Sequence, residues 1–130
     1  MPRFVILRHE LPPQAERSSH WDLMFEFGAV LRTWAIDQEL LADRVVAARA
    51  LADHRLDYLN YEGPVGGNRG QVTRCDAGEF AVIAESPERL AVELLGSRYR
   101  GRLDLECHPS GVWYATYRAA SKLPDAAATS

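Results

Sequence analysis

The sequence predicts a mainly β fold: an antiparallel barrel or sandwich of about eight short strands, with one helix at most. Three observations carry this. The apolar runs are strand-sized, and residues 20–27 alternate with period two. Turn signals recur regularly in the second half, at Asp76-Ala77-Gly78 and Pro109-Ser110-Gly111. Only one stretch has partly helical spacing, which argues against a parallel α/β fold.

Each element follows from its residues. Arg3-Phe4-Val5-Ile6-Leu7-Arg8 is an apolar run flanked by Arg and reads as a buried strand. Residues 10–19, with two prolines and two serines, read as an exposed loop. Residues 20–27 alternate. His20, Asp22, Met24 and Glu26 fall on one face, and Trp21, Leu23, Phe25 and Phe27 on the other. Gly28-Ala29 turns the chain into a return strand, Val30 to Ile36. Residues 38–52, rich in Ala, Leu and Glu, predict a helix through Leu40, Leu41, Val45, Val46, Ala48 and Leu51. Asp53 to Tyr61 is polar and aromatic without clean periodicity, and Glu62 to Gly70 is a glycine-rich loop. Gln71–Arg74 and Glu79–Ala84 predict two strands joined by a turn, and Arg89–Leu95, Gly101–Glu106 and Val112–Arg118 predict three more. Residues 1–118 form one domain, and 119–130 read as a flexible C-terminal tail.

Composition bounds the function. The 130 residues are 47% hydrophobic and 25% charged, values of an ordinary globular chain. No window approaches the ~18 uncharged apolar residues of a membrane helix, so no membrane partner is expected. The net charge of −3 argues against a protein that coats nucleic acid non-specifically. Any phosphate-binding role must come from a local patch. The basic residues are fourteen Arg and one Lys, Lys122, and a guanidinium fork matches phosphate oxygens. Cys75 and Cys107, without a secretory signal, predict free thiols in a cytoplasmic protein.

The chemistry-bearing residues cluster early. His20 and Asp22, two apart on one strand, project the same way, and His9 closes the preceding strand. Two imidazoles and a carboxylate make a mixed nitrogen–oxygen set with open positions, suited to Mn²⁺, Fe²⁺ or Zn²⁺. The competing reading is a hydrogen-bonded surface pair, in a barrel that binds a small molecule in an apolar pocket. His54 lies in Asp53-His54-Arg55-Leu56-Asp57-Tyr58, as a general acid or a solvated loop residue. Gly63 to Gly70 is a phosphate cradle or a wide hairpin turn. Arg98, Arg100 and Arg102 alternate toward one face, as a basic stripe or a solvated one. His108 reads as a turn residue. Trp21, Trp34 and Trp113 read as packing residues, and no serine lies in a nucleophile-elbow context.

The ordered set of motifs resembles the 3′-phosphoesterase module of bacterial DNA ligase D, which also occurs as stand-alone proteins. The resemblance runs through Phe4-Val5-Ile6-Leu7-Arg8-His9, His20-Trp21-Asp22-Leu23-Met24-Phe25-Glu26 and Thr33-Trp34-Ala35-Ile36. It continues through Asp53-His54-Arg55-Leu56-Asp57-Tyr58, Tyr61-Glu62-Gly63, and Leu95-Gly96 to Gly101-Arg102-Leu103 followed by Trp113, so it covers roughly residues 3–118. It implies a small β-barrel, with an irregular segment in place of the helix over 38–52. It implies His9, His20 and Asp22 as ligands of a divalent metal, usually Mn²⁺, and His54 with Tyr58 as the residues that contact the scissile phosphate. The implied activity is metal-dependent removal of 3′-terminal ribonucleotides and 3′-phosphates at DNA ends. The implied partners are such DNA 3′ ends and DNA end-joining proteins, and the expected state is a monomer. Three departures stand out. The family's Arg two residues after the metal Asp is Met24, its Lys after the Trp strand is unmatched at Gln38, and the loop between His9 and His20 is longer. Arg32 and Arg69 are the candidates to supply the missing phosphate-binding charge. The alternative function is a weak or inactive module that binds metal and nucleic-acid ends.

Overall fold

The computed structural model describes residues 1–120. Its strands are β1 (Arg3–Glu10), β2 (His20–Phe27), β3 (Val30–Ile36), β4 (Val45–Arg55), β5 (Gly63–Pro64), β6 (Gln71–Ser86), β7 (Arg89–Gly96), β8 (Arg100–Cys107) and β9 (Trp113–Ala119). They form one antiparallel sheet in the order β1-β2-β3-β4-β9-β8-β7-β6-β5, and a further β1–β6 pairing closes a ring of eight strands. The mainly β, barrel-like fold expected from the sequence is the observed one. Ring closure gives each of the eight strands a partner on both sides, although the β4–β9 seam spans only Val45 to Ala48 of β4.

Alternation divides the side chains between two cores. Phe4 and Ile6 of β1, Leu23 and Phe25 of β2, Trp34 and Ile36 of β3, and Phe80 of β6 join residues of every other ring strand in one buried cluster. This is the barrel interior. The opposite face of β1, β2 and β3 is also covered. Val5, Leu7, Met24 and Leu31 pack with Leu59 and Val72, against Leu56, Tyr58 and Val65. The second cluster exists because the chain from Leu56 to Gly70, which opens with a 3-10 turn over Leu56–Leu59, lies across the outside of the barrel.

Two expectations are corrected. Residues 38–52 hold no helix; Val45 to Arg55 is a strand paired with both β3 and β9. Ala and Leu favour helix intrinsically, but Val46 and Ala48 alternate inward, and burial between two partner strands overrides propensity. Gln71–Arg74 and Glu79–Ala84 are not two strands either. β6 is continuous over sixteen residues, with a bulge at Cys75 that sets Ile6 opposite Asp76 and Leu7 opposite Arg74. Its first half pairs with β1 and its second half with β7, so the turn-like Asp76-Ala77-Gly78 is the barrel's bend. The buried Asp76 carboxylate accepts N–H bonds from Ser97, Arg98 and Tyr99 at 2.8–3.1 Å and ties the β7–β8 turn to that bend. Gly96 is required there, because a Cβ would overlap Asp76 and lie 2.8 Å from Phe4. Cys75 and Cys107 are free, and His108 begins the last turn, as expected. No helix among the described residues is long and apolar enough to cross a membrane. The tail expected over 119–130 begins with Ala119, the last residue of β9; 121–130 lie outside the described residues.

Candidate metal centre

The outer face of β2 presents His20, Asp22 and Met24 in sequence, and pairing sets His9 of β1 directly opposite His20. The two imidazoles meet edge to face, with centroids 4.9 Å apart. Their hydrogen bonds fix which nitrogens face inward. His20 donates Nδ1–H to the Ser18 carbonyl at 2.9 Å, which leaves Nε2 as the nitrogen facing the centre, 3.2 Å from Asp22 Oδ1. His9 donates Nε2–H to the Arg69 carbonyl at 2.8 Å, and its Nδ1 lies 3.7 Å from Asp22 Oδ2. One ligand atom from each residue lies within 4.8 Å of the others. Asp22 Oδ1 is buried and accepts no hydrogen bond.

Such an arrangement calls for positive charge between the three groups. Without a metal a proton serves. The Asp22 carboxylate raises the His9 pKa above its ordinary value against the opposing effect of burial. Burial pushes the Asp22 carboxyl up, but the imidazoles of His20 and His9 outweigh it and hold the group at about 2. The donor set also fits a divalent cation. Two neutral imidazoles and one carboxylate suit a borderline metal, three protein ligands leave open positions, and backbone carbonyls already hold both rings in the ligating tautomer.

The centre forms the floor of a cleft of about 350 Å³. His54, opposite Leu31 on β3, and Tyr58 of the 3-10 turn stand on its wall with ring centroids 5.6 Å apart. His54 donates Nδ1–H to the Ala52 carbonyl at 2.8 Å, so Nε2 is the nitrogen available to a ligand. The glycine-rich loop closes another side. Gly70 sits at φ +83° where any Cβ would overlap the Glu10 carbonyl, and this close approach brings the Arg69 carbonyl to His9.

The expected residues thus divide. His9, His20, Asp22, His54, Tyr58, Met24 and Arg69 all line the cleft. Arg69 spends its Nε–H on the Gly66 carbonyl at 2.6 Å. Arg32 does not reach the cleft. It shares the parity of Trp34, lies over the Phe27 and Trp34 rings and pairs with Glu85 at 3.2 Å. Gln38 is exposed beyond the end of β3 and is not in the cleft wall. Arg98 and Arg102 are held by Glu39 and Asp104, and Arg100 by the Gly96 carbonyl, so the expected basic stripe is tied to its own neighbours. Arg17 was invisible to pattern reading. It is exposed in the proline-rich loop, yet its guanidinium Nη2 lies 3.4 Å from His20 Nε2. The one available signal was position, since a short loop joining two ligands must pass near both.

Comparison with known proteins follows the same residues. The family model of the DNA ligase D 3′-phosphoesterase domain matches residues 13–106, a stretch that carries His20, Asp22, His54 and Tyr58, with His9 just before it. No curated protein matches the chain. The match spans most of the sequence and every strand of the ring except the first and the last in sequence, β1 and β9, and on that basis the chain belongs to the DNA ligase D 3′-phosphoesterase domain family.

Proposed function

We propose that the chain is a metal-dependent phosphoesterase that processes DNA 3′ ends, removing a terminal ribonucleotide or a 3′-phosphate. Family membership supports a phosphoesterase role in end processing. The observation that carries the finer reading is the convergence of His9 Nδ1, His20 Nε2 and the unpartnered Asp22 oxygen at the floor of a cleft walled by a second histidine and a tyrosine.

His9, His20 and Asp22 would hold a divalent ion, Mn²⁺ by the resemblance, whose contribution is charge neutralisation at the phosphoryl group. The remaining work falls to the chain. His54, anchored through Nδ1, offers Nε2; in the imidazolium form this nitrogen donates a proton to a phosphoryl or leaving-group oxygen. The Tyr58 hydroxyl is a second donor beside it. The loop around Arg69 and Tyr58 of the 3-10 turn wall the cleft on two sides. DNA end-joining proteins would be the partners and a monomer the acting unit. A second reading, a metal- and end-binding module with weak or no catalysis, is favoured by Met24, which places an apolar thioether in the wall where a cation would aid a phosphate.

The test is incubation with Mn²⁺ and a primer-template ending in one 3′-ribonucleotide, beside a 3′-phosphate version. Trimming that needs the metal and disappears in His20→Ala is the expected result. A protein that binds Mn²⁺ and trims neither end would sustain the accessory reading instead.

A further inference from the structure

We infer that Arg17 is the phosphate-gripping cation of this cleft and that, before metal arrives, it occupies the metal's side of His20. The inference deepens the phosphoesterase reading and rests on it.

The argument is one of charge and reach. A divalent ion on neutral His9 and His20 and the Asp22 carboxylate leaves a net single positive charge. A phosphoryl group approaching its transition state carries more negative charge than that, so a further cation at the mouth stabilises it. The wall residue nearest the ligands on their own strand, Met24, brings none, and Arg32 is committed to Glu85 outside the cleft. Arg69 already donates its Nε–H to the Gly66 carbonyl.

Arg17 differs from both. Its only polar contact among the described residues is the 3.4 Å approach of Nη2 to His20 Nε2, and it pairs with no carboxylate, although Glu16 stands on the same rim. The contact is long for a hydrogen bond and sets a cation on the lone pair that a metal would take. A bound divalent ion would repel the guanidinium, and the exposed, unbranched side chain is free to withdraw toward the mouth. A phosphate oxygen held at the centre is then the anion within its reach, and its planar fork suits two such oxygens.

This makes two expectations of opposite sign. Removing Arg17 takes away a cation that competes for His20, so Mn²⁺ binds more tightly. The same change takes away a phosphate ligand, so phosphate binds more weakly. A merely solvated loop arginine moves neither. The experiment titrates the full chain and its Arg17→Ala and Arg17→Lys variants by calorimetry, first with Mn²⁺ alone and then with inorganic phosphate on the Mn²⁺-loaded protein. Arg17→Ala is expected to tighten Mn²⁺ roughly two- to fivefold and to weaken phosphate about tenfold or more. Arg17→Lys should recover part of the phosphate affinity. Unchanged phosphate affinity in Arg17→Ala, or weaker Mn²⁺ binding, would overturn the assignment while leaving the metal centre standing. A wild-type protein that takes up no Mn²⁺ would overturn the metal reading itself, and this inference with it.

Discussion

Replacing Asp22 by Asn in metal-free protein tests the electrostatics of the centre directly. The substitution keeps the shape and removes the charge. The folded protein holds the Asp22 carboxyl at about 2, against an ordinary 3.8. At about 1.4 kcal/mol per pH unit, the depression corresponds to about 2 kcal/mol of stability for the ionised form. A depressed carboxyl contributes above its unfolded value and loses the contribution as pH falls through the folded one. The pairing also needs a proton on His9, whose pKa is raised above 6.5. A raised histidine contributes fully below its unfolded value and loses the contribution as pH rises through the folded one. The two conditions overlap between about pH 4 and 6.5. Urea unfolding in EDTA at pH 3, 5 and 8 should show Asp22→Asn costing about 2 kcal/mol at pH 5 and clearly less at pH 3 and pH 8. With Mn²⁺ at pH 8 the order should change, because the metal replaces the proton and stabilises only the wild type. A cost independent of pH from 3 to 8 in EDTA would refute the charge pairing.

Other perturbations test separate parts. His54→Ala should keep the wild-type Mn²⁺ affinity and lose at least about 100-fold in turnover; loss of the metal by calorimetry would move His54 into the ligand set. Asp76→Ala strands three backbone N–H groups, that of the buried Tyr99 among them, and should cost about 2 kcal/mol or more in thermal unfolding, with Asp76→Asn intermediate. Met24→Arg forces a guanidinium into a position only 1% exposed, beside Val5, Leu7 and Leu31, and should lower stability by about 2 kcal/mol or more. If denaturant titration shows no loss, that wall has room for a cation and the variant should be assayed for a gain in trimming.

What could be read from the sequence was set by local periodicity. β2 and its hairpin to β3 were legible to the residue, because strict alternation separates Trp21, Leu23 and Phe25 from His20, Asp22 and Met24. The same alternation put His20 and Asp22 on one face, so the candidate ligands were visible before the fold. β4 was misread because Ala-rich composition imitates a helix and its partner β9 lies far along the chain. The bend in β6 was misread because Asp76-Ala77-Gly78 carries turn chemistry that the fold uses inside a strand. Arg32 was misplaced for a simpler reason. A strand residue one position off the wanted parity faces the other way, and no motif reveals a cation on a loop such as Arg17.

The bond from His9 to the Arg69 carbonyl joins residues sixty positions apart and runs beside the β1–β6 seam. His9 and His20 are neighbours through a short connection and can meet in a chain that is still partly open. The ring orientation of His9 cannot be settled that way, since the carbonyl that selects its tautomer arrives only with the strand that completes the circle. An ion held by these three ligands would therefore discriminate between a finished barrel and an unfinished one. Binding and closure would then be coupled: an ion held by all three groups would favour the shut seam, and a frayed seam would weaken its hold on the ion. Shortening the first strand would loosen both at once, and metal content would serve as a gauge of how much of the population has its circle complete.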